Sequence, residues 1–157
     1  MKISEFLCPD AVTADLKAKN KEEVIDELVA LLVSTGAIEK KSKAKIVEVI
    51  MAREALGSTA IGQGIAIPHG KSESVSKLVS GLGVSKKGID FDSLDGEPAH
   101  IFFILIAPQD SAGPHLKALA RVSRLLKDKY FRESLKAAKD SRDISELVSQ
   151  EDARSVA

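Results

Sequence analysis

An α/β sandwich around one sheet is the fold class this sequence predicts, and three observations predict it. Residues 101–106, Ile-Phe-Phe-Ile-Leu-Ile, are continuously apolar, as a central strand covered on both faces requires. Two stretches of helical periodicity precede that strand and further helical patterns follow it. At 157 residues, 44% of them apolar, the chain makes one domain with enough apolar material for a real core.

Taken in order, residues 3–7 predict a short helix ended by Pro9, and residues 12–16 a short strand. Asn20 then opens a helix, with Glu23 three positions on completing a capping box. Val24, Leu28, Leu31 and Leu32 share its apolar face, and Gly36 is its stop. A second helix is expected from Ser42, as cap, to about Leu56, with Gly57 following. Ile46, Val49, Ile50 and Arg53 recur at helical spacing, so an arginine ends the apolar stripe. The usual reading of Arg53 is a favourable charge in a helix's last turn; the functional one is a guanidinium that grips an anion.

Residues 58–64 read as a connector of small, hydroxyl and glycine residues. Residues 65–67 predict a strand that Pro68 stops, with Gly70 as a tight exit after His69. Residues 78–84 alternate as a strand, Lys86-Lys87-Gly88 is a turn, and residues 90–97 are acidic and turn-rich. After the central strand comes a loop at 109–113, then a helix with Pro114 in its first position and His115 next. A short helix is expected over 130–138. Asp143 and Glu146 form a capping box for a terminal segment that frays from about Glu151.

Composition narrows the function. The chain has 23 basic and 23 acidic residues, so no global charge draws it to nucleic acid or an anionic membrane. No apolar run approaches the roughly 20 residues of a membrane helix, and the first residues lack the apolar core of a signal peptide. The single cysteine, Cys8, makes no internal disulfide and no zinc-ligand pattern. A cytoplasmic protein with no metal and no cofactor is the expectation.

Of the histidines, His100 beside the buried strand reads as structural, whereas His69 and His115 each directly follow a proline near a strand end or its loop. Loops at the carboxyl ends of strands converge on ligand sites, so the two can meet. A hydrolase triad would want a Gly-x-Ser-x-Gly elbow, which is absent; a paired-carboxylate site stays open, although Asp90, Asp92 and Asp95 read as solvated turn residues. The pattern also fits a nucleophilic histidine, with the second histidine, Arg53 and a helix N-terminus stabilising a transferred phosphoryl group. A histidine in a plain surface turn fits His69 equally on local sequence.

Residues 53–71, Arg-Glu-Ala-Leu-Gly-Ser-Thr-Ala-Ile-Gly-Gln-Gly-Ile-Ala-Ile-Pro-His-Gly-Lys, resemble the signature of the type-2 IIA domains of the bacterial phosphoenolpyruvate-dependent sugar phosphotransferase system. Residues 88–98 and Pro114-His115-Leu116 continue the match in order, so it covers nearly the whole chain, residues 1–157. That family includes fructose, mannitol and nitrogen-regulatory members. The resemblance implies a mixed sheet of about five strands flanked by helices. It implies that His69 accepts a phosphoryl group from the phosphocarrier HPr and passes it to a cysteine of a IIB domain. Arg53 and His115 would flank the phosphohistidine, Ser58 and Thr59 would contact the phosphoryl group, and a membrane IIC permease would be an indirect partner. A fructose-like transport role is favoured by residues 93–98, Ser-Leu-Asp-Gly-Glu-Pro, and a nitrogen-regulatory role is the alternative. Two departures from the family pattern are Ala60, where glycine is common, and Pro114, where a polar residue is common.

Overall fold

The computed structural model describes residues 1–154, and its centre is the apolar run. Strand β6 (Ala99–Pro108) lies in the middle of a mixed sheet. Strands β1 (Leu7–Thr13), β5 (Val79–Ile89), β3 (Ile65–Ala66) and β2 (Ala60–Gly62) complete the order β1-β5-β6-β3-β2. Strand β4 (His69–Ser72) pairs with β6 beyond β3, so β3 and β4 are two halves of one interrupted strand. The six strands thus occupy the five positions expected. The β1–β5, β3–β6 and β4–β6 pairs are parallel; β5–β6 and β2–β3 are antiparallel.

The alternation of β6 divides the core. Ile101, Phe103 and Leu105 face one layer, where α3 (Ala112–Leu125), α4 (Lys129–Ala137) and α5 (Ser141–Arg154) pack. Phe102, Ile104 and Ile106 face the other, covered by α1 (Lys21–Ser34) and α2 (Lys43–Ala55). Both faces being dry explains the unbroken apolar run. Among the described residues no helix is long and apolar enough to cross a membrane.

Several elements follow their local signals. Asn20 Oδ1 accepts the Glu23 N–H at 2.9 Å, and Asn20 Nδ2 donates to the Glu23 carboxylate at 3.1 Å. Gly36, at φ +80°, follows the end of α1.

Others are corrected by tertiary context. The expected first helix shrinks to one 3-10 turn, Ile3–Glu5, and the strand begins at Leu7 and runs through Pro9. Pro9 is tolerated because β1 is an edge strand, with an irregular register between Leu7 and Val12. Ser42 ends a 3-10 turn, and its side chain makes no capping bond to α2. Part of the supposed connector at 58–64 is a strand: Gln63 (φ 60°) and Gly64 (φ 78°) turn β2 into β3, as a two-residue hairpin demands. The Lys86-Lys87-Gly88 turn is instead strand, absorbed by a register shift between Val84 and Ile89. Lys86 Nζ reaches across to the carbonyls of Lys136 and Ala138 at the end of α4.

At the C-terminal side, Pro114 is the third residue of α3, not the first. Its missing N–H falls among those a helix start leaves unpaired, so the helix loses no bond. The capping box that opens α5 is Asp140 with Asp143: Asp140 accepts the Asp143 N–H at 2.9 Å, and Asp143 accepts the Lys139 N–H at 3.1 Å. The chain does not fray at Glu151; α5 continues to Arg154, and residues 155–157 of that expectation lie outside the described residues. Asp152 is buried, accepting the N–H groups of Ile3 and Ser4 at 2.9 and 3.1 Å and pairing with Arg121 at 2.7 Å.

Candidate active site

The strand carrying His69 is broken by Pro68, which has no N–H for the ladder. Its carbonyl still accepts the Leu105 N–H at 3.0 Å, and pairing resumes with His69 opposite Leu105. His69 is therefore the first residue of β4 rather than the tail of β3. Gly70 serves close packing instead of a tight exit. A Cβ there would stand 3.0 Å from Val49 Cγ1 and 3.1 Å from Ile50 Cδ1, so α2 rests directly on β4. That contact brings the end of α2, with Arg53, to the His69 end of the strand.

The two histidines do meet. Their ring centroids are 5.4 Å apart and the planes are inclined at 75°. His69 is half-buried, and its Nδ1 lies 2.8 Å from the Ile67 carbonyl oxygen. A carbonyl only accepts, so the neutral ring carries its proton on Nδ1 and its lone pair on Nε2. Burial lowers the His69 pKa; the Ile67 hydrogen bond opposes this, the Arg53 charge adds to it and the Glu54 charge opposes it. His115, in the first turn of α3, is only 6% exposed, and its Nε2 has no hydrogen-bond partner among the described residues. Burial, then the neighbouring His69 and Lys71 charges, bring its pKa down to about 4. Both shifts favour the neutral imidazole, His69 with the Nε2 lone pair that its Nδ1–H leaves and His115 with an unmet polar atom beside it.

Arg53 is half-buried, and its Nη1 donates to the Gly57 carbonyl at 2.8 Å. Among the described residues this is the guanidinium's one hydrogen bond, which leaves most of its donors for an anion. Ser58 and Thr59 stand in the same loop with their hydroxyls turned inward. Ser58 Oγ donates to the Phe91 carbonyl at 2.5 Å and accepts the Ala60 N–H at 3.0 Å. Thr59 is buried, and its hydroxyl donates to Glu54. His100 sits apart, with Nδ1 2.9 Å from the Ser85 carbonyl oxygen, in the structural place expected. Asp92 and Asp95 are exposed turn residues, as expected, with Asp92 pairing with Lys21 at 3.0 Å and Asp95 accepting the Gln63 N–H at 3.0 Å. No group of three or more potential metal ligands occurs among the described residues.

Glu54 is the neighbour that sequence reasoning left without a role. Its signal was present: a carboxylate in the last turn of a helix opposes the helix dipole and needs a compensating partner. Here the side chain is 1% exposed and lies 3.3 Å from Lys21 Nζ.

Comparison with known proteins places the chain in a family. Residues 5–151 match the family model "Phosphoenolpyruvate-dependent sugar phosphotransferase system, EIIA 2". The chain is 40% identical over 152 residues to the fructose-specific EIIABC component of Bacillus subtilis, covering 97% of this chain and 24% of that longer protein. It is 36% identical over 148 residues to the nitrogen regulatory protein of Bradyrhizobium diazoefficiens, covering 94% of this chain and 95% of that one. The crystal structure of nitrogen regulatory protein IIA-Ntr from Neisseria meningitidis superposes with a TM-score of 0.82 at 31% identity, covering 93% of this chain and 98% of that one. IIA mannitol from Escherichia coli shares the fold, with a TM-score of 0.75 at 24% identity, covering 90% and 97% of the two chains. This chain belongs to the EIIA type-2 family of the phosphoenolpyruvate-dependent sugar phosphotransferase system.

Proposed function

We propose that this chain is a phosphocarrier in which Nε2 of His69 takes a phosphoryl group from phosphorylated HPr and passes it to a IIB cysteine. The observation that carries this reading is His69 Nδ1 set 2.8 Å from the Ile67 carbonyl oxygen, which leaves Nε2 as the lone-pair side of a ring packed against His115 and its unmet nitrogen. The Nε2 lone pair attacks phosphorus as the donor's N–P bond breaks, and His69 keeps its Nδ1 proton throughout. In the second step a thiolate attacks the same phosphorus, an S–P bond forms and the His69 N–P bond breaks. Arg53 has free donors for the phosphoryl oxygens, and an arriving dianion gives His115 Nε2 its missing partner. A dianion also favours protonation of His115, so the site gains positive charge as it gains negative charge.

Ser58 and Thr59 act from behind, their hydroxyls shaping the loop rather than contacting the phosphoryl group. Pro114 removes one helix-start N–H, which leaves those of Ala112 and Gly113 as the backbone donors nearest His115.

The test is labelling by phosphorylated HPr. His69→Ala is expected to abolish it, and labelling that persists would end this reading. A nitrogen-regulatory role is the second reading, favoured by a nitrogen regulatory relative matched along 95% of its length. The fructose-specific relative names A, B and C components in one chain, which favours transport with IIB and a membrane IIC as partners. Transfer of the label from His69 to a fructose-type IIB separates them: efficient transfer supports transport, and its failure alongside normal labelling supports regulation.

A further inference from the structure

We propose that Glu54, ion-paired to Lys21 of α1, is a positioning residue for His69, acting through a chain of hydrogen bonds that runs to the imidazole by way of Thr59 and Ile67. This rests on the reading of His69 as the phosphoryl acceptor.

Every link of that chain is present. Lys21, one residue into α1, brings Nζ within 3.3 Å of Glu54 Oε1 at the end of α2. Glu54 Oε1 accepts the Thr59 N–H at 3.2 Å, and Oε2 accepts the Thr59 hydroxyl. The Thr59 carbonyl accepts the Ile67 N–H at 3.2 Å. The Ile67 carbonyl accepts the His69 Nδ1–H at 2.8 Å. Pro68 lies between those last two residues and fixes its own φ, so Ile67 and His69 move together.

Side supports hold the same chain. Lys21 also meets Asp92 at 3.0 Å and lies over the Phe91 ring, 4.7 Å from its centroid. The Phe91 carbonyl holds the Ser58 hydroxyl. The loop between α2 and β2 is thereby held by Glu54 of α2, which Lys21 of α1 anchors, and by the Phe91 carbonyl beyond β5.

A buried carboxylate at a helix C-terminus is costly, and a salt bridge alone is a poor reason to keep one. What Glu54 supplies that an apolar residue cannot is a two-point grip on Thr59. With that grip loosened, Thr59 and Ile67 drift, and the Ile67 carbonyl no longer selects the Nδ1–H tautomer. The lone pair then spends part of its time on Nδ1, facing away from the incoming phosphorus. The charged groups bearing on His69 are Arg53 and Glu54 of α2, with His115 of α3 against its ring. Loss of Glu54's charge also removes an influence that favours the protonated ring.

The experiment pairs nitrogen NMR of the full chain, recorded without any phosphoryl donor, with transfer kinetics from phosphorylated HPr. In Glu54→Gln the His69 ring is expected to show a mixture of tautomers where the native protein shows Nδ1–H alone. Maximal transfer is expected to fall about 10- to 100-fold with the apparent KM for phospho-HPr unchanged, as misplacement without loss of docking dictates. Thr59→Ser, which keeps both donors to the carboxylate, is expected to behave as native, and Thr59→Val to resemble Glu54→Gln. Should Glu54→Gln fail to fold, Thr59→Val carries the test. A native tautomer pattern and native maximal rate in a folded Glu54→Gln or Thr59→Val would overturn the proposal. The NMR arm needs no donor, so a protein that HPr does not label would sink the phosphocarrier reading and leave the tautomer result standing separately.

Discussion

At the residue scale, the proposed function concentrates on two imidazoles with different tasks. His69 is held by a carbonyl that dictates its tautomer, and His115 is held dry beside it. His115→Ala is expected to leave labelling of His69 in place but slow transfer, since the nucleophile remains while one stabilising nitrogen is lost; unchanged rates from HPr and to IIB would remove His115 from the mechanism. Its buried state also has a stability signature. The folded-state pKa of about 4 lies below the ordinary 6.5, so the unfolded chain takes up a proton that the folded chain refuses. Stability from this group is complete above pH 6.5 and is lost as pH falls toward 4. Between pH 7 and 5 the loss is about 2 kcal/mol, and His115→Gln is expected to remove most of that slope in urea titrations. A variant with the native pH slope would show that His115 is not desolvated as described. Both histidines were legible in the sequence because a proline precedes each and marks a rigid mount. Glu54 was not, because its partners Lys21 and Thr59 are brought to it by the packing of α1 and the return of the loop.

At the element scale, the seat of α2 on β4 decides where Arg53 stands. Gly70→Ala is expected to crowd Val49 and Ile50, destabilising the protein by about 1–2 kcal/mol and slowing transfer as Arg53 is displaced. Adding Val49→Ala to that variant makes room for the new methyl, so transfer is expected to recover even where stability does not. Kinetics that stay slow in the double variant would mean that helix position is not the cause. The elements with strong local signals, α1 with its capping box and β6 with its apolar run, were legible within a residue or two. The strand interruption was not. Pro68 reads locally as a stop, and only the parallel partner β6 tells the chain to resume pairing at His69. β2 was missed for the same reason, since a three-residue strand of Ala, Ile and Gly has little signal of its own.

At the scale of the whole molecule, the sheet separates two cores, and each sends a helix to the site: α2 carrying Arg53 from one layer and α3 carrying His115 from the other. Asp152 ties the second layer together by gripping the first residues of the chain and Arg121 of α3. Burial alone would raise its pKa; the Ile3 N–H, the Arg121 guanidinium and the Ser4 N–H outweigh that and hold it below its ordinary 3.8. Its stability contribution is therefore present above pH 3.8 and is lost as pH falls through the lower folded value. Asp152→Ala is expected to cost about 3 kcal/mol at pH 7 by removing the buried carboxylate that the Ile3 and Ser4 N–H groups and Arg121 share, with the deficit narrowing in strong acid. A loss below about 0.5 kcal/mol would reduce the contact to a surface-like pair. This long-range tie was invisible in a C-terminal segment that reads as polar and loose. In the proposed function all these scales serve one atom, Nε2 of His69. Phosphorylating the full chain with phospho-HPr and locating the phosphoramidate by phosphorus and nitrogen NMR tests that directly. The expected result is phosphorus on Nε2 of His69 with the proton retained on Nδ1; phosphorus on Nδ1, on His115 or on any other residue would overturn it.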